Sequence, residues 1–167
     1  MGNSSRRHAL RRTYLSLGLG ELAAVAVFLY ASMSVLLPGI RLHGGERALW
    51  LALIPLVVIL TQAGAYWLLA RGWVPGGRMP RLLAAAYRTF RVFDAILLLA
   101  SLAGVLLWRP AHTGWALLVS GIWLFGVVEY VNYFVWRLSY PPREWLHSVR
   151  QQRPPRLLQD LEDAERR

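Results

Sequence analysis

The chain has 167 residues, 56% of them hydrophobic and 12% aromatic, with a mean hydropathy of +0.36 and a formal net charge of +10. That composition is too apolar for an ordinary soluble surface, and the length is short for two soluble domains. The absence of cysteine excludes disulfides, iron–sulfur ligation and thiol catalysis.

A helix needs about 20 mostly apolar residues to cross the ~30 Å hydrocarbon core of a bilayer. Four segments approach that length: Tyr14 to Leu37, Ala48 to Ala70, Val92 to Trp108 and Gly114 to Trp136. The predicted fold class is therefore an all-α membrane protein, a four-helix transmembrane bundle with short amphipathic interfacial helices. Its expected parts are a basic N-terminus over 1–13, the transmembrane domain over 14–136 and an amphipathic tail over 137–167.

The N-terminal stretch SSRRHALRRTYL resembles a twin-arginine export signal in its paired arginines before an apolar run. Ala9 stands where a large apolar residue is usual, and the apolar run is long for a signal peptide with no convincing small-residue cleavage site, so the expectation is an uncleaved first helix. Pro38-Gly39 is expected to end that helix, and Gly44-Gly45 to turn the short loop after it. A break over residues 71–77 follows the second span. Pro80 then opens RLLAAAYRTFR, a basic helix expected to lie along the headgroups before the third span. Pro110 and Gly114 bracket a tight turn between the third and fourth spans, and Trp50, Trp67, Trp73, Trp108, Trp115 and Trp136 fall near predicted interfaces. Past Pro141-Pro142, REWLHSVRQQ reads as an interfacial helix, and RLLQDLEDAERR aligns Leu157, Leu158 and Leu161 on one side, as a solvated tail or a docking helix would.

All 19 basic residues are arginine. They lie before the first span, between the second and third, and after the fourth; only Arg41, Arg47 and Arg109 fall on the opposite side. Basic residues near span ends are retained in the cytoplasm, so both termini are expected there, in a multi-pass protein of the cell membrane.

At a rise of 1.5 Å per residue, the polar residues inside the spans fall in the cytoplasmic half: Glu21, Gln62 and Glu129 at roughly 10–12 Å, and Tyr66, Asp94 and Asn132 about one turn in. Glu129, Asn132 and Tyr133 share a helical stripe that continues to Trp136 and Tyr140. Ionisable side chains at such depth are functional candidates by default. The candidate cluster is thus Glu21, Gln62, Tyr66, Asp94, Glu129, Asn132 and Tyr133, with Arg88, Arg91 and Arg137 at the rim to meet anionic lipid. Arg91 precedes Asp94 by three residues, a spacing that suits an ion pair.

Four helices with Glu21 in the first resemble the small multidrug transporters in outline, which implies proton-coupled exchange of a cationic or polar substrate. This chain is longer, carries a basic tail and has a strong orientation bias, and it shares no motif with them. An enzyme acting on a lipid headgroup would use the rim arginines for phosphate and the carboxylates for acid–base work, yet no catalytic sequence is present. His8, His43, His112 and His147 lie outside the spans without metal-ligand spacing, so neither metal nor cofactor is expected. SLGLGE around Gly18 and Gly20 is a helix-packing feature here rather than a phosphate loop. The most economical reading is a non-catalytic accessory or assembly protein. Its expected partners are anionic lipid headgroups and either another membrane protein or a second copy of the chain; the scattered arginines lack the stacking platform that nucleic acid would need.

Overall fold

The computed structural model describes residues 2–73, 79–135 and 156–165. Among these residues the regular elements are all helices: α1 (Gly2–Ala31), a π-helical segment (Ser32–Leu36), α2 (Leu37–Arg41), α3 (Glu46–Ala70), α4 (Arg81–Leu107), α5 (Thr113–Phe134) and α6 (Arg156–Glu165). Four helical runs are long and apolar enough to cross a membrane: His8–Arg41, Glu46–Ala70, Arg81–Leu107 and Thr113–Phe134.

The first run does not stop at Pro38. Proline has no N–H to offer the carbonyl of Ser34 four residues back. The chain widens instead into a π segment in which the Leu37 N–H bonds the Ser32 carbonyl, and Pro38 then sits in the first turn of α2, where its missing donor costs nothing. The real stop is Gly44, which adopts φ +68, a left-handed conformation suited to glycine, while Gly45 N–H returns to the Ile40 carbonyl at 3.1 Å. A Cβ on Gly45 would lie 2.6 Å from both Ile40 and Pro110, so the tight turn also needs glycine for space.

The basic stretch after Pro80 and the third span form one unbroken helix, α4, rather than an interfacial helix followed by a turn. No glycine or proline lies between Arg81 and Ala103 to interrupt it. At 27 residues, α4 is roughly 40 Å long, enough to carry its first turns beyond a ~30 Å hydrocarbon core.

Helix α3 is the centre of the bundle and packs against α1, α4 and α5. Leu49, Leu53, Leu56 and Ile59 are fully buried along it. The contact with α1 is a close crossing of small residues. A Cβ on Gly18 would lie 3.0 Å from the Gly64 carbonyl oxygen, and one on Gly64 would lie 3.2 Å from that of Gly18. The outward faces stay apolar and uncovered, with Val27 and Tyr30 on α1 and Ile96 and Leu99 on α4 all exposed.

Two apolar clusters fill the interior, one toward each end. Leu37, Ile40, Leu49 and Val119 belong to the cluster nearer the Gly44-Gly45 turn. The other joins Tyr66, Met79, Tyr87, Phe134, Leu157 and Leu161, and so includes α6. The tail helix is docked on the bundle here rather than solvated: Leu157 and Leu161 are 3% and 4% exposed. The interfacial helix expected in REWLHSVRQQ, together with Trp136, Arg137 and Tyr140, lies outside the described residues.

Candidate functional site

The polar residues predicted from sequence are held in hydrogen-bonded sets, each drawn from more than one helix. The first lies between α3 and α4. Asp94 is fully buried, and its Oδ1 accepts a hydrogen bond from Gln62 Nε2 at 3.1 Å. Two turns back on α4, the Tyr87 hydroxyl donates to the backbone carbonyl of the same Gln62 at 2.9 Å. Asp94 is therefore matched with Gln62 and not with Arg91, which is exposed and whose backbone carbonyl accepts from Tyr130 at 3.1 Å. An arginine at the polar rim keeps its hydration by pointing outward, and following Asp94 inward would forfeit that. The buried face of α4 continues through Leu98, Ser101 and Gly104. There the Trp123 indole of α5 donates to both the Leu98 carbonyl and the Ser101 hydroxyl at 3.1 Å.

The second set joins α1 to α5. Tyr133, nearly buried, donates its hydroxyl to Glu21 Oε1. Glu129 lies one turn before Tyr133 on α5, accepts a hydrogen bond from Asn132 and is within electrostatic reach of Glu21. This brings Glu21, Glu129, Asn132 and Tyr133 together, as the stripe on α5 suggested. Two carboxyl groups of like sign thus share one partly accessible region between α1 and α5.

The third set closes the end of the bundle. Tyr66, fully buried, donates to Asp160 Oδ2 of α6 at 2.8 Å, and the indole of Trp73, just past α3, donates to the same oxygen at 3.1 Å. Arg156 approaches Asp160 Oδ1 at 3.6 Å from one turn earlier on α6. Edge-on aromatic contacts from Tyr66 to Trp67 at 5.1 Å and to Tyr87 at 5.8 Å stiffen the seat. Tyr87, Ser101, Trp123, Trp73, Arg156 and Asp160 take part in these sets although the sequence reading did not place them in the cluster. The only signal for Asp160 is its position between Leu157 and Leu161 on the apolar side of the tail. Of the rim arginines, Arg88 and Arg91 are exposed on α4, and Arg137 lies outside the described residues.

At the opposite end, Arg41, Glu46, Arg47, Trp50, Leu51 and Trp108 line an open cleft of about 780 Å³. Arg41 and Glu46 form an exposed ion pair at 2.9 Å there, and the Arg47 guanidinium stands 5.9 Å from the Trp108 ring. No group of three or more metal-ligating side chains occurs among the described residues. No protein-family model, characterised protein or solved structure matches this chain. Its functional reading rests on the geometry alone.

Proposed function

We propose that the chain is a multi-pass protein of the cell membrane, with both termini in the cytoplasm, acting as an accessory or assembly subunit rather than as an enzyme. The observation that carries this reading is how the buried polar side chains are engaged. Asp94 is matched by Gln62, Glu21 by Tyr133, and Asp160 by Tyr66 and Trp73, each across two different elements. Such pairs act as interhelical clamps that fix one arrangement of apolar helices for which lipid supplies little preference. The long first helix adds to it: it is held mainly by α3, and apolar side chains on its outward face, including Val27 and Tyr30, are exposed.

Rim arginines and the basic N-terminal turns would hold the cytoplasmic side to anionic headgroups. The exposed face of α1 would meet another membrane protein or a second copy of the chain. Photo-crosslinking amino acids at Val27 and Tyr30 on α1, and at Ile96 and Leu99 on α4, test this in native membranes. The expected result is a discrete protein adduct from the α1 positions, with lipid adducts alone from α4. Lipid adducts at all four positions, together with substrate-driven proton movement in proteoliposomes abolished by Glu129→Gln, would instead support the transporter reading built on Glu21 and Glu129.

A further inference from the structure

The contact between Gln62 and Asp94 leaves two oxygens over. Asp94 Oδ2 and Gln62 Oε1 are both buried and both lack a hydrogen-bond partner, while the remaining atoms of the same two groups bond to one another at 3.1 Å. Two acceptors cannot satisfy each other, and buried acceptors without donors are rare in folded proteins. A single proton resolves both. On Asp94 Oδ2 it gives a neutral carboxylic acid able to donate to Gln62 Oε1, alongside the bond from Gln62 Nε2 to Asp94 Oδ1.

We propose that Gln62 and Asp94 form a proton-binding site inside the bundle, occupied at neutral pH, whose ligand is one solvent-derived proton held between Asp94 Oδ2 and Gln62 Oε1. Among the described residues no cationic side chain is paired with Asp94. From α3 the facing groups are Gln62 and Tyr66, the latter engaged with Asp160; from α5 they are Glu129, Tyr130 and Tyr133; from α6 they are Arg156 and Asp160; on α4 itself Arg88 and Arg91 are exposed. Among the described residues, none of these groups forms an ion pair with the Asp94 carboxyl, whose hydrogen-bond partner is the Gln62 amide. A metal cation fits poorly, because hard cations take six or more oxygen ligands and this contact offers two. Loss of the proton would set a carboxylate against the Gln62 carbonyl oxygen and loosen α3 from α4, so the site couples protonation to the packing of the central helix. This inference is independent of the assembly reading.

The test is infrared spectroscopy of the full chain in lipid nanodiscs, with aspartate labelled by carbon-13 at its side-chain carboxyl. The chain has only three aspartates, Asp94, Asp160 and Asp163, and the labelled wild type needs no substitution that might impair folding. The expected result at neutral pH is a carboxylic-acid carbonyl band that shifts with the label, disappears in Asp94→Asn and moves to higher frequency in Gln62→Leu, where the amide partner is gone. The proposal is overturned if the label moves only carboxylate bands at neutral pH, if the acid band survives in Asp94→Asn, or if sodium ions shift a labelled Asp94 carboxylate band.

Discussion

Replacing Asp160 with alanine removes an acceptor that ties α6 to the bundle, and its effect can be estimated from the contacts. Asp160 is 8% exposed and receives two hydrogen bonds, from Tyr66 at 2.8 Å and Trp73 at 3.1 Å. Hydrogen bonds to a charged group contribute about 1.5–3 kcal/mol each. Two that share an oxygen are not additive, so about 3 kcal/mol for the pair is an intermediate figure. That corresponds to a shift of roughly 100-fold in the equilibrium between docked and undocked tail. Because Leu157 and Leu161 bury little surface beside the four long helices, the loss should appear as local undocking rather than unfolding of the bundle. Hydrogen exchange of the α6 amides and protease cleavage within residues 156–165 should accelerate by about that factor, while exchange in α3 and α5 stays unchanged. An Asp160→Ala tail as protected as the wild type would refute the assignment of Asp160 as the docking residue.

Gly18→Leu should lower thermal stability by about 1–3 kcal/mol, because its side chain must displace Leu68 and the Gly64 backbone, whereas Gly20→Ala, with open space at its Cβ, should be neutral in the same melt. Tyr133→Phe should cost about 1–2 kcal/mol in detergent unfolding by removing the donor to Glu21. Trp123→Phe should cost about 1 kcal/mol by leaving the Leu98 carbonyl and Ser101 hydroxyl without the indole donor. If Asp94 carries a proton, the folded state binds more protons than the unfolded chain above the ordinary aspartate range, so wild-type stability should fall as pH rises and then level off, while Asp94→Asn stays flat across the same titration.

The four apolar runs and their order could be read from the sequence because length and hydropathy alone mark them. So could the polar stripe on α5, since Glu129, Asn132 and Tyr133 follow helical spacing and come together with Glu21. Periodicity says which residues share a face, and it does not say which helix that face meets. The i, i+3 spacing of Arg91 and Asp94 therefore pointed to a local pair, while the actual partner, Gln62, comes from 32 positions earlier. The tail presents the same problem at greater distance. Asp160 meets Tyr66 and Trp73 across more than 80 residues of chain, and its acidic, arginine-flanked surroundings resemble solvated surface. At the end of the first helix, Pro38 suggested a stop, but the next turn supplied a π-helical pairing that carried the helix past it.

The most direct test is the topology itself, and the absence of cysteine makes it clean. Single cysteines at Ser4, Arg81, Leu42 and Ala111 can be probed on intact cells with a membrane-impermeant maleimide, then again after permeabilisation. The account predicts that Leu42→Cys and Ala111→Cys react from outside, while Ser4→Cys and Arg81→Cys react only once the membrane is opened. Labelling of Ser4→Cys or Arg81→Cys on intact cells would contradict the four-span arrangement with cytoplasmic termini.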